Sequence, residues 1–240
     1  MKRILGLVAI GCVSSLVWVA SVSAAAGDAT CSGTAPPNVA NDLIVPAGTT
    51  CTIGPGSKVG YDVIVNQGAT LLNQGGQIGH NIQATAPAGI ALGGGTAPDG
   101  TFLRGRVGND VTVNGITGAG SGIANFICST DIVHDVVLTN ATSSAGEWVV
   151  GDTDPELCRF GNTVGHDLVV QNNKNLIEVS DNSQGPAPPY GVGHDLRVTG
   201  NTQAPVVEGN TVFHDAVCQS NLTSDGDHEP NVAGHTNTCG

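Results

Sequence analysis

One phrase recurs along almost the whole chain, and it constrains the fold more than any other feature. It reads VANDLIV from Val39, VGYDVIV from Val59, IGHNIQA from Ile78 and VGNDVTV from Val107. It returns as IVHDVVL from Ile132, VGHDLVV from Val164, VGHDLRV from Val192 and VFHDAVC from Val212. A period of about 20 residues and upward marks a repeat architecture, in which no unit buries its apolar face alone and neighbours stack to share a core.

Within the phrase the apolar positions alternate. Leu196 and Val198 share one parity, as do Val63/Val65, Val111/Val113, Leu168/Val170 and Val136/Leu138. The residue between them varies freely: Ile64, Gln83, Thr112, Val137, Val169, Arg197. A period of two with one apolar side describes a half-buried strand whose variable member faces out. Asn and Gly follow the strands at Asn172-Asn173, Asp181-Asn182, Gly200-Asn201, Gly209-Asn210 and Asn221. Both residue types accept the left-handed backbone of tight turns. With 35 Gly and 12 Pro, helices are expected to be rare.

The expected fold is all-β: a single-stranded parallel β-helix, a β-solenoid, of the right-handed form, which admits coils of unequal length. About eight or nine rungs at a spacing of about 4.8 Å make a rod of roughly 40 Å. Residues 1–24 read as a signal peptide, residues 25–38 as an N-terminal capping segment and residues 39–240 as the solenoid. The signal reading rests on basic Met1-Lys2-Arg3, an apolar stretch from Ile4 to Ala20 and the small-residue site Val22-Ser23-Ala24. It implies a secreted, periplasmic or cell-surface protein with no membrane span once the signal is removed.

The chain carries a net charge of −12, and all 20 acidic residues lie after position 24. Such a field repels polyanions, so nucleic acid is excluded as a partner. An extracellular polysaccharide, a protein surface or a further copy of the chain remains. Cys31, Cys51, Cys128, Cys158, Cys218 and Cys239 are an even set in an exported chain, which favours disulfides. Positions one repeat apart lie close together in stacked coils, so the expected pairs are Cys31–Cys51, Cys128–Cys158 and Cys218–Cys239.

The strands and Asn-rich turns resemble those of secreted right-handed β-helix repeat proteins, over roughly Val39 to Asn237. The Gly-x-Asp-aliphatic-x-aliphatic phrase is also loosely similar to that of bactofilin-type polymer-forming solenoids. The resemblance implies an architecture and carries no motif specific to one activity.

Histidine precedes the acidic or amide position at His80-Asn81, His134-Asp135, His166-Asp167, His194-Asp195 and His214-Asp215. In register, the last four pairs form a column of imidazole and carboxylate that can take Zn²⁺ or respond to pH. Equally, a corner Asp or Asn accepts backbone N–H groups, a structural task for which Asn81 serves as well as Asp. Two acidic stretches, Asp152/Asp154/Glu156 and Asp225/Asp227/Glu229, offer hard oxygen ligands to Ca²⁺ without the EF-hand spacing. Asp167 and Asp195 on neighbouring coils are the candidate pair for glycoside hydrolysis. No Gly-x-Ser-x-Gly elbow or phosphate loop occurs. The leading expectation is therefore a non-catalytic structural or adhesin-like binding protein. The alternatives are a polysaccharide-active β-helix enzyme and a metal- or pH-responsive module.

Overall fold

The computed structural model describes residues 27–118, 125–151, 158–182, 191–222 and 229–239. Residues 1–24, read as a signal, together with Asp152, Asp154, Glu156, Asp225 and Asp227 of the acidic stretches, lie outside them. No helix occurs among the described residues, and three parallel faces wind into one β-helix. The first face has nine strands, from Ala29–Thr30 and Leu43–Val45 to Leu196–Thr199 and Ala216–Gln219. The second has eight, from Gly33–Thr34 to Val206–Glu208. The third has six, from Asn38–Val39 to Thr163–Val164. It continues by bridges through Val192 to Thr211–Val212 and Val232–Ala233. Pairing begins at Ala29, so the segment read as a cap carries the first strands of two faces.

The alternation seen in the sequence is the inside-outside alternation of the coil. Leu43, Val63, Ile82, Val111, Val136, Leu168, Leu196 and Ala216 stand in one register column, each wholly buried. A slip of one residue would turn every such side chain to solvent. With each buried aliphatic side chain worth about 1.5–3 kcal/mol, that column alone holds the register. Coil length can therefore vary, from 19 residues between Asp62 and Asn81 to 32 between Asp135 and Asp167. Trp148 fills the second-face interior and is 1% exposed.

The early coils turn by backbone alone. In Pro46–Thr49 and Asn66–Ala69 the fourth N–H donates to the first carbonyl at 3.2 and 3.0 Å. Gly48 and Gly68 supply φ values of 70° and 71°, as the turn requires. Later coils use side chains instead. After the first face, Asn173 Nδ2 donates to Asn201 Oδ1 and Asn201 Nδ2 to Asn221 Oδ1, both at 3.0 Å. After the second, Asn162, Asn182, Asn210 and Asn231 form a second ladder, with Nδ2···Oδ1 distances of 3.0, 2.8 and 2.8 Å.

The disulfides are Cys31–Cys51, Cys128–Cys158 and Cys218–Cys239, with separations of 20, 30 and 21 residues, about one coil each. These are the pairs expected from one-repeat spacing. Near the middle bridge a small antiparallel hairpin, Gly95–Thr96 with Phe102–Leu103, leaves the coil. Phe102 meets Phe160 edge-on at 5.9 Å, and the Arg159 guanidinium sits 4.8 Å from the Phe102 ring centre.

Candidate functional site

The corner between the third and first faces carries the repeated Gly-x-Asp. Its chemistry begins with backbone donors that the turn leaves facing along the rod. The side-chain oxygen of Asp42 accepts the N–H of Asp62 at 3.0 Å, and Asp62 accepts that of Asn81 at 3.0 Å. The series continues through Asn81, Asp110, Asp135, Asp167, Asp195 and Asp215, which accepts the Thr236 N–H at 2.9 Å. Each corner oxygen thus binds the same backbone position one coil later. Asn81 does this as Asp does, which is why the repeat tolerates the amide.

The histidines ride on this carboxylate column. His80, His134, His166, His194 and His214 each place Nδ1 2.9 Å from an oxygen of Asp62, Asp110, Asp135, Asp167 and Asp195 respectively. In the chain each of these histidines stands directly before an aspartate or asparagine. The structure gives the short contact to the preceding coil instead. The adjacent carboxylates Asp135, Asp167, Asp195 and Asp215 lie farther off, at 3.4, 3.6, 3.5 and 3.3 Å. The reason is stagger: the corner oxygen leans forward to the N–H of the next coil, and the imidazole of that next coil reaches back to the same oxygen. All eight residues singled out in the sequence therefore do meet in one column.

Four members went unmarked in the sequence. Asp42, Asp62 and Asp110 follow Asn41, Tyr61 and Asn109, so no neighbouring histidine singled them out. His235 sits in VAGHT, where Thr236 takes the place of the usual acid. The Gly-His pair was the available signal.

The rings of His134, His166 and His194 stack on their successors at centroid spacings of 5.0, 4.9 and 4.8 Å, within 6° of parallel. His214 and His235 differ, at 4.3 Å and 70°. Neighbouring carboxylates one rung apart repel by about 1 kcal/mol even in water, and an imidazole proton between them offsets this. The hydrogen bond to Asp110, aided by the charge of Asp135, raises the His134 pKa against the opposing pull of desolvation. Burial pushes Asp195 upward, but Arg197, His214, the Asp215 N–H and His194 outweigh it and hold this carboxyl at about 2. Burial likewise opposes, and the Asn81 N–H and His80 overcome, in lowering Asp62.

Four triplets bring one ligand atom per residue within 4.8 Å: His134/Asp135/His166, His166/Asp167/His194, His194/Asp195/His214 and His214/Asp215/His235. In the first three the rings are parallel, so equivalent nitrogens point the same way one rung apart. An ion holding two nitrogens at about 2.0–2.1 Å needs them to converge. The stacked stretch has the geometry of a zipper rather than of a chelate. Asp167 and Asp195, the candidate hydrolytic pair, flank His194 Nδ1 at 2.9 and 3.5 Å.

On the outer side of the first face, next to this corner, lies a hollow of about 330 Å³. Gln83, Thr85, Asp110, Thr112 and Asn114 line it.

No family model matches the chain, and no match was found among curated proteins or solved structures.

Proposed function

We propose that this chain is a non-catalytic structural rod of the cell exterior, and that the outer side of its nine-stranded face binds an extended, hydroxyl-rich polysaccharide. Three disulfides suit an oxidising compartment, and the basic-then-apolar start of the chain supports export. The observation that carries the binding assignment is the column of uncharged polar side chains at one outer position of that face, Thr85, Asn114, Thr139, Gln171, Thr199 and Gln219 in register. Gln83 and Thr112 pair directly across strands, as do Thr85 and Asn114 and then Thr139 and Gln171. Amides and hydroxyls repeated at rung spacing can meet sugar hydroxyls along a polymer, and the hollow, to which Asp110 adds a carboxylate, gives that row depth.

The column argues against catalysis on physical grounds. A glycosidase needs one carboxylic acid that stays protonated near neutral pH. Asp195 is nearly buried, bonded to Arg197 and held at about pKa 2. It is a poor proton donor, and Asp167 is engaged by the Asp195 N–H and His194.

The test is to incubate the disulfide-bonded chain with neutral and acidic polysaccharides, reading binding and new chain ends together. The expected result is binding without cleavage, weakened in a Gln83→Ala/Thr112→Ala double variant. Cleavage of any polymer would replace this reading with an enzyme. Absence of binding across the panel would remove the glycan partner.

A further inference from the structure

We propose that the C-terminal end of the corner ladder is a binding site for one divalent d-block cation, such as Zn²⁺, held by His214, Asp215 and His235. The inference is independent of what the outer face binds. One ligand atom from each of the three residues lies within 4.8 Å of the others. The same is true of the triplets higher in the ladder, but two features separate the last one from them.

The first is ring orientation. The His235 ring is turned 70° from His214 at a centroid distance of 4.3 Å, whereas every pair above it is within 6° of parallel. Crossed rings can aim their nitrogens at one point, and parallel rings cannot. The second is commitment. Each ring higher up gives Nδ1 to the carboxylate one coil before it. The equivalent carboxylate for His235 is that of Asp215, and the His235 ring makes no hydrogen bond to it or to any other described residue. Asp215 spends one oxygen on the Thr236 N–H at 2.9 Å and keeps the other 3.3 Å from His214 Nδ1. The ladder thus ends with an imidazole and a carboxylate that are adjacent and not bonded to each other.

Two imidazoles and one carboxylate form a three-ligand set that leaves room for water, a pattern suited to Zn²⁺ and its neighbours rather than to Ca²⁺, which wants only oxygens. Ligand bonds of about 2.0–2.2 Å require small side-chain movements, which exposure permits, since His235 faces solvent and His214 and Asp215 are partly exposed. Coordination would fasten the final coil to the one beneath it, close to Cys218–Cys239.

Calorimetric titration of the full disulfide-bonded chain with zinc chloride tests this directly. One ion per chain is expected. His235→Ala should weaken binding by at least roughly 10-fold, the loss that even an outer partner of a metal ligand causes. His166→Ala, in the parallel stretch, should leave affinity unchanged within error. Zinc should also slow amide exchange over residues 232–238 in the wild type and not in His235→Ala. The proposal is overturned if the wild type takes up no zinc at millimolar concentration, or if His235→Ala binds like the wild type. Equal loss in His166→Ala would move the ion into the stacked ladder and also overturn it.

Discussion

At the corners flanking the second face, Asn173–Asn201 and Asn162–Asn182–Asn210–Asn231 stack in the interior, with Asn221 half-buried at the end of the first row, whereas at the third corner His and Asp alternate near the surface, Asp195 alone among these carboxylates being buried. All three columns answer the same need, since a turn leaves backbone groups that must find partners. Carboxamide is both donor and acceptor, so one Asn can bond the next without limit and without charge. Asn182 gives Nδ2 to Asn210 Oδ1 and to the Val150 carbonyl, and its N–H also bonds Asn210. Carboxylate only accepts. A column of Asp therefore has to stay near water, or be interleaved with a donor, and the imidazole Nδ1–H supplies that donor. The first coils, with their Gly-containing backbone turns, show that an Asn ladder is not needed where a four-residue turn closes on itself.

The comparison is broken hardest by putting charge where the amide belongs. Asn182→Asp removes the donor to Asn210 and Val150 and places a carboxylate in the interior. A cost of about 3–5 kcal/mol is expected, as for an uncompensated buried charge, read as a fall in the urea midpoint. The converse exchange should be mild. Asp167→Asn keeps the acceptor for the Asp195 N–H, as Asn81 does naturally, and should change stability by no more than about 1 kcal/mol. If the two substitutions cost the same, burial and charge do not distinguish the corners.

Selective loss of Cys218–Cys239, by Cys218→Ser with Cys239→Ser, tests the end coil. It should cost about 2–4 kcal/mol in the same titration.

Acid unfolding sharpens the comparison through Asp195. Its folded pKa of about 2 is below the ordinary 3.8. Its contribution is therefore present above pH 3.8 and is lost as pH falls toward 2. Asp195→Asn should flatten the melting temperature across that window.

The smallest effect belongs to His134, whose folded pKa is raised. Its contribution is full below the ordinary histidine value and is lost as pH rises through the folded one. His134→Asn, copying Asn109, should remove that slope, leaving the rest of the pH profile as it was. A slope that persists would assign the titration to another ring.

Much of this was legible in the chain. Leu-x-Val alternation after each Gly-x-Asp marks a strand with one buried side, because side-chain direction is local and repeats every two residues. Asn173, Asn182, Asn201 and Asn210 stood out as corner residues for a similar reason, each following Asn172, Asp181, Gly200 or Gly209 with positive φ. The one-coil spacing of Cys31 and Cys51 favoured their pairing because adjacent coils must touch.

Tertiary structure alone decided who meets whom at the corner. His166 bonds Asp135, 31 residues earlier, in preference to Asp167 beside it in the chain. That choice depends on the lean of side chains between coils, which no local pattern encodes. The turned ring of His235 is a consequence of the same kind. With Thr236 following it in place of the usual acid, the imidazole lies turned 70° from His214 and out of the parallel stack. Sequence periodicity dictates that coils form and which side chains they bury, since both follow from backbone geometry over a few residues. The contacts that carry the chemistry run along the rod, and they exist only once the coils are stacked.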